Sequence, residues 1–295
     1  MRVVIAGSSG LIGTSLVAAL RSKGHEVDRL VRRRPAGPDE AQWDPESGSL
    51  DPSVLKGADA VVNLCGVGIG DKRWTGAYKQ AIRDSRITPT DVLARAVVDA
   101  GVSTLVNASG INFYGDTGDR TVDETSPVGT GFLAEVCRDW EDATRPAVEA
   151  GVRTVTLRTA AVLSRRGGMM GKLRPLYLFG LGGRLGSGRQ YFPWITLADE
   201  VGAIVFAIEN SAVSGPLNLA GPAPITFAQF NSAMSKAVHR PAPWIVPGFV
   251  ISAIIGEFAN EAILSGPRAI PAALEKAGYA FEHNTIGEAL AAVTS

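Results

Sequence analysis

An α/β protein with a doubly wound parallel sheet, followed by a smaller C-terminal substrate lobe that ends in helices, is the architecture expected from three features of the chain. An apolar strand pattern at the N-terminus runs straight into a glycine-rich turn, strand and helix patterns then alternate to residue 165, and beyond it the alternation weakens in glycine-punctuated chain. At 295 residues, one large domain or two unequal ones are expected. The boundary is drawn at 165. A dinucleotide-binding Rossmann domain covers 1–165, with return elements around 195–225. A substrate lobe covers 166–295 and includes a helical part over 240–295.

Val3-Val4-Ile5-Ala6 reads as a buried strand, and Leu11 to Leu20 as an amphipathic helix. Between them lies Gly7-Ser8-Ser9-Gly10-Leu11-Ile12-Gly13. Glycines there let backbone approach a pyrophosphate without interference from Cβ, and the helix N-terminus offers free amides and the positive end of a dipole. Gly7, Ser9, Gly10, Leu11, Ile12 and Gly13 are therefore candidate cofactor-binding residues. Glycines at intervals of three also occur in plain strand-to-helix turns; the strand before and the helix after favour the binding reading.

His25 to Val31 forms the second strand pattern, and Arg32 stands just past its end. An acidic residue there would accept hydrogen bonds from ribose hydroxyls, whereas arginine pairs with a 2′-phosphate through a charge-assisted fork. Asp28 falls inside the strand, too early for the ribose role. Arg32, with Arg33 beside it, therefore favours NADP(H) over NAD(H). The competing reading of Arg32, Arg33 and Arg34 is a solvated basic loop.

A polar passage over Pro35 to Gly57 precedes the apolar strand Ala60 to Leu64. Then come a helix from about Thr75 to Ala100, a strand at Thr104 to Ala108, a loop to about Gly131, a helix through Ala150 and a strand at Thr154 to Leu157. Asn63-Leu64-Cys65-Gly66 closes the third strand at the sheet edge where cofactors lie, which makes Leu64, Cys65 and Gly66 candidate contacts. Cys65 reads as a small packing residue rather than a nucleophile. Glycines at 167, 168, 180, 182, 183, 186 and 188 break up the following stretch, which suits a substrate lid or an ordinary surface loop. Ile195 to Glu200 opens a helix capped near Thr196. The apolar run Ile245 to Ile255, interrupted by Pro247 and Gly248, is too short to span a bilayer. It is expected to pack on the substrate lobe, with its apolar face a candidate for a homodimer contact.

Composition narrows the partners. Lys and Arg total 29, as do Asp and Glu, so the formal charge is zero and neither nucleic acid nor an acidic membrane surface is indicated. Cys65 and Cys137 make no disulfide framework, and with His25, His239 and His283 they show no metal-ligand spacing. The N-terminus lacks a charged-then-apolar leader pattern, so a cytoplasmic address is expected.

The Gly-x-x-Gly-x-x-Gly spacing resembles that of the short-chain dehydrogenase/reductase superfamily. Asn107 to Asp116 resembles the Ser…Tyr-Gly segment of its extended members, which implies that Ser109 matches the catalytic serine and that Tyr114 helps bind substrate or donate a proton. One additional residue lies between the two, so Gly110 is the other candidate for the serine position. The superfamily's Tyr-x-x-x-Lys pair falls on Leu133 and Cys137 here, and no Tyr or Lys occurs between 115 and 171. A phenol with a pKa near ~10 needs a neighbouring cation to act as base at neutral pH. Lys72, Lys79 and Arg86 are candidates to supply that cation, and Arg86 is also a candidate cofactor contact.

Arg73-Trp74-Thr75, Tyr114 to Asp119, Phe132 to Glu141, Phe192 to Ile195 and the tail Ile263 to Pro271 with Ala277 to Phe281 resemble a narrower group. These are the atypical reductases of the NAD(P)-dependent epimerase/dehydratase-like type, which carry a C-terminal domain of unknown function. Members of that group commonly carry Cys at the lysine position. The resemblance implies Arg158, Arg189 and Trp194 as substrate contacts; the plain alternatives are a strand-end salt bridge for Arg158 and a core aromatic for Trp194. It also implies an NADP(H)-dependent oxidoreductase or epimerase acting on a small hydroxylated or nucleotide-sugar-like substrate. The alternative is a non-catalytic NADP(H)-binding regulatory module, which the missing pair favours.

Overall fold

A computed structural model of the protein describes residues 1–48, 50–165 and 167–294. Its centre is a seven-stranded sheet formed by β1 (Arg2–Ala6), β2 (Glu26–Val31), β3 (Glu40–Gln42), β4 (Ala60–Asn63), β5 (Thr104–Gly110), β7 (Arg153–Thr159) and β11 (Gly215–Leu219). The strand order is β11-β7-β5-β4-β1-β2-β3, and every pair is parallel. Chain direction across the sheet reverses between β1 and β4, where Ala6 sits opposite Asn63. This is the point at which an open α/β sheet leaves a crevice at its carboxyl edge.

Successive side chains of a strand face opposite ways, so β1 must be apolar throughout to be covered on both sides. Val3 and Ile5 pack with Leu16, Val17 and Leu20 of α1 (Leu11–Ser22) and Ile204 and Ile208 of α6 (Leu197–Glu209). Val4 and Ala6 pack with Leu93, Ala94 and Val97 of α2 (Gly76–Asp99). The helix expected to run through Ala150 is two helices, α3 (Phe132–Asp142) and α4 (Arg145–Glu149). Pro146 lies in the first turn of α4, where its missing N–H costs no helical bond.

Smaller elements complete the chain. The two-residue strands β6 (Thr121–Val122) and β13 (Arg268–Ala269) pair in parallel, as do β8 (Ala161–Leu163) and β10 (Trp194–Thr196). The glycine-rich stretch holds α5 (Gly168–Leu178) and β9 (Gly183–Leu185), and β9 pairs with β12 (Trp244–Val246). A separate core of Met170, Tyr177, Trp194, Phe230, Met234 and Leu290 joins α5 to α7 (Phe227–Ala237) and α11 (Ile286–Thr294). The apolar run over 245–255 is a strand residue pair, the break at Pro247, and α8 (Gly248–Ile255), of which only Ile251 is buried. After it come α9 (Glu257–Ala262) and α10 (Ala272–Lys276).

Three carboxylates, those of Asp199, Glu124 and Glu261, are among the groups that tie the tail to the sheet domain. Thr196 caps α6, accepting from the Asp199 amide at 3.1 Å, and the Asp199 carboxylate in turn accepts from the Glu282 amide at 2.6 Å. Glu124 bridges β11 and α10, accepting from the Asn218 and Ala273 amides. Glu261 of α9 accepts from the Phe132 and Leu133 amides, so it caps α3, whose own N-cap, Gly131, has no side chain to do so.

Glu200 of α6 is fully buried: Thr159 donates to one carboxyl oxygen at 2.9 Å, and the other has no hydrogen-bond partner among the described residues. Burial pushes this carboxyl up to about 8. The folded protein therefore keeps a proton that the unfolded chain releases near pH ~4.5. Stability is expected to fall as pH rises from about 5 to about 8. Glu200→Gln should flatten that slope, measured as urea midpoints across this range.

Candidate functional site

The turn from β1 into α1 is built by close approach. Gly7 has φ +79°, and a Cβ on it would lie 2.6 Å from the Leu64 carbonyl carbon and oxygen. A Cβ on Gly13 would lie 2.3 Å from the Gly7 oxygen, so α1 can only leave the turn at this angle with glycine there. Gly10 differs: its nearest neighbour to an added Cβ is the Gly7 oxygen at 3.5 Å, an ordinary contact. The Gly10 amide donates to Gly7 at 3.2 Å and closes the turn. Gly10 is the N-cap of α1, with no capping side chain and no acid in the first turn. The helix amides at Leu11 and Ile12 thus face outward beside exposed Ser9 and Gly10, which suits an anion.

At the end of β2 the basic residues divide. Arg29 pairs with Asp39 and Glu40, and Arg33 forks onto Glu40 at 2.7 and 2.6 Å. That fork, with the Ala36 amide, holds the Glu40 carboxyl down at about 2. Arg32 is exposed and pairs with no carboxylate among the described residues, and its charge acts on Cys65 at the end of β4. Asp28 is inside β2 and pairs with Arg2. So Arg32 stands open at the carboxyl edge of the sheet, whereas Arg33 is engaged by Glu40.

Beside it, Leu64, Cys65 and Gly66 follow β4. Asn63, the last residue of β4, and Asn107, midway along β5, are both fully buried: the Asn63 amide donates to Asn107 at 2.7 Å and to Thr90 at 2.8 Å, and its oxygen accepts from the Cys65 amide. Trp140 donates to the same Thr90 hydroxyl. Burial pushes the Cys65 thiol up to about 12, which keeps it protonated and unreactive. Arg86 donates to the Ile82 and Val67 carbonyls and lies over the Trp140 ring, bracing the loop at Gly66.

The residues expected to carry chemistry lie in a buried polar chain. Ser109 donates to Glu141 at 2.7 Å, and Arg158 holds the same carboxylate with two bonds of 2.9 Å. Arg158 also donates to the Tyr114 hydroxyl at 2.8 Å, and Tyr114 donates to Asn218 at 2.7 Å. Its guanidinium stacks on Phe113, 3.6 Å from the ring centre. Tyr114 is 1% exposed, and burial pushes its phenol up to about 12 despite Arg158. The cation that reaches Tyr114 is thus Arg158, not Lys72, Lys79 or Arg86. Lys79 pairs with Glu257, and Lys72 lies over Tyr78.

Arg158 falls within β7 rather than after the strand, and the structure gives it the strand-end ion pair in place of an open pocket. Trp194 is 1% exposed in the lobe core, pressed against Gly221, so it lines no open surface. Arg189 is exposed on the turn after β9. Leu133 packs with Trp74, Ile82 and Val136, and Cys137 lies against Ser109 and Gly110 with its thiol pushed up to about 12 by burial. Neither position offers a base or a cation. Thr90, Asn218 and Glu124, which join this chain of bonds, are not singled out by the sequence: Thr90 and Glu124 stand in polar stretches, and Asn218 is a lone polar residue within Pro216 to Leu219.

Residues 3–220 match the model of the NAD dependent epimerase/dehydratase family, and residues 246–293 match a domain of unknown function. The chain belongs to the NAD dependent epimerase/dehydratase family. An epimerase family protein of Mycobacterium bovis is 59% identical over 99% of this chain and 97% of its own length. The human epimerase family protein SDR39U1, solved with NADPH, superposes with a TM-score of 0.93 at 33% identity, covering 100% of this chain and 99% of that one. A nucleoside-diphosphate sugar epimerase from Corynebacterium glutamicum superposes at 0.82 with 38% identity over 99% of this chain, which spans 57% of that longer protein. The family's dinucleotide fits the residues present: Gly10 leaves room at the turn, the first amides of α1 are uncapped, and Arg32 is free of carboxylates.

Removing Arg158 would leave Glu141 buried without its countercharge. Arg158→Ala is expected to cost about 3–5 kcal/mol of stability, read from urea unfolding.

Proposed function

We propose that this protein binds NADP(H) in preference to NAD(H), and that its own side chains hold the dinucleotide without supplying the tyrosine–lysine proton relay. The observation that carries the cofactor reading is Arg32. Of the arginines around the end of β2, Arg29 and Arg33 are taken by Asp39 and Glu40, whereas Arg32, the first residue past the strand, keeps its fork free of carboxylates among the described residues, as does Arg34 two residues further on. The human relative solved with NADPH supports it. When bound, the dinucleotide would supply a hydride donor or acceptor at its nicotinamide.

The absence of a relay is supported by Leu133 and Cys137 at the expected positions and by the commitment of Ser109 and Tyr114 to the Glu141–Arg158 pair. These favour a regulatory role, in which a partner senses whether NADPH or NADP⁺ is bound. A second reading is favoured by the similarity to the Corynebacterium nucleoside-diphosphate sugar epimerase. It is hydride transfer to or from a small hydroxylated or nucleotide-sugar-like substrate, with Ser109 freed from Glu141 to bind the reacting oxygen and exposed Arg189 as a substrate contact.

Calorimetric titration with NADPH, NADP⁺, NADH and NAD⁺ tests the cofactor reading. The phosphorylated pair should bind more tightly, and Arg32→Ala should cost NADPH about 1.5–3 kcal/mol, roughly tenfold to a hundredfold in affinity, while leaving NADH unchanged. Equal affinity for all four would sink the preference. Turnover of any nucleotide sugar, abolished by Ser109→Ala, would decide for the second reading.

A further inference from the structure

The formal charge of zero conceals an uneven distribution. No Asp or Glu occurs over 150–198, where Lys172, Arg174, Arg184 and Arg189 lie, nor over 210–256, which holds Lys236, His239 and Arg240. Of the acids nearest α8, Glu257 pairs with Lys79 and Glu261 caps α3, whereas Arg184, opposite Ile245 in the β9–β12 pair, and Arg73, at the end of α8, pair with no carboxylate among the described residues, so this side of the lobe is bordered by cations.

The same face carries exposed apolar groups. The six most exposed large apolar side chains among the described residues are Phe179, Leu181, Trp244, Ile245, Phe249 and Ile254, and all belong to this lobe. Phe179 is 81% exposed and Phe249 77%. They occupy neighbouring structure. Trp244 donates its indole N–H to the Gly180 carbonyl at 2.8 Å, between Phe179 and Leu181, and β12 pairs with β9 from Trp244 to Val246. Leu264 lies against both Gly186, just past β9, and Gly248, the start of α8. Helix α8 itself, Gly-Phe-Val-Ile-Ser-Ala-Ile-Ile, has no charged residue and buries only Ile251. Arg73 donates to the Ile254 carbonyl at its far end.

An apolar face of this kind has to be covered by something. A second copy would place the basic border of one chain against the basic border of the other, because a two-fold contact meets its own image. An anionic bilayer surface satisfies both features: aromatic and aliphatic groups enter the headgroup boundary while Lys and Arg meet lipid phosphates. We propose that the face formed by the end of α5, β12 and α8 docks on an anionic lipid surface, as a peripheral contact. Among the described residues no helix is long and apolar enough to cross a membrane. The proposal departs from the expectation drawn from net charge, because binding depends on local charge and not on the total.

Trp244 reports on the contact directly. The other four tryptophans, Trp43, Trp74, Trp140 and Trp194, are buried, whereas Trp244 is 57% exposed. Vesicles of phosphatidylcholine with phosphatidylglycerol should shift the emission to the blue and sediment the protein, and added salt should reverse both. Phosphatidylcholine vesicles should do neither. Phe249→Glu with Ile254→Glu, checked for folding by circular dichroism, should abolish sedimentation, and Trp244→Phe should lose the spectral shift while still sedimenting. The proposal is overturned by no sedimentation with the anionic vesicles, by equal binding to both vesicle types, or by a dimer in solution that the double variant converts to monomer.

Discussion

The buried Glu141–Arg158 pair is the interaction on which the domain's second half depends. A carboxylate on α3 and a guanidinium on β7 are both withdrawn from water, and each is tolerable only because the other is there. Once they are fixed, their remaining hydrogen-bonding capacity organises what surrounds them. Ser109 at the end of β5 donates a hydrogen bond to Glu141, the Tyr114 hydroxyl accepts one from Arg158, and Tyr114 donates its own to Asn218 on β11. Asn218 in turn donates to the Ile270 carbonyl, so the chain of bonds runs from the middle of the sheet into the tail. A network whose described members are all satisfied holds these side chains in one arrangement.

At these positions the resemblance in sequence says nothing of the partners the fold supplies. Ser109 and Tyr114 occur where the family resemblance expects working residues, yet what they can do is set by Glu141 and Arg158, which lie 32 and 44 residues further along the chain from them, respectively. Arg158 was legible as a charged residue ending an apolar strand, and an ion pair was among its readings; its partner was not legible. The glycine turn between β1 and α1 was legible because its requirements are local: Gly7 and Gly13 are demanded by neighbours at backbone distance, and the strand and helix on either side announce themselves by period. Arg32 and Arg33 show the limit of that locality. They are adjacent and chemically equal, and only the position of Glu40 in the fold separates them.

The sheet was legible for the same reason as the turn. Strands buried on both faces read as continuous apolar runs, and β1, β4 and β5 do so. The break between α3 and α4 and the division of 245–255 into strand and helix were not, because each is decided by packing against distant chain, although the prolines at 146 and 247 mark both.

The cap that Glu261 places on α3 has a consequence in time. During synthesis the first turn of α3 emerges well over a hundred residues before the carboxylate that satisfies its amides. Until then the helix that carries Glu141 begins with unsatisfied donors, and the sheet domain is complete in sequence but unfinished in structure. The start of α3 therefore gains its cap, a contribution on the order of 1 kcal/mol, only once the C-terminal segment has been made and docked, so this part of the sheet domain's stability is borrowed from the tail.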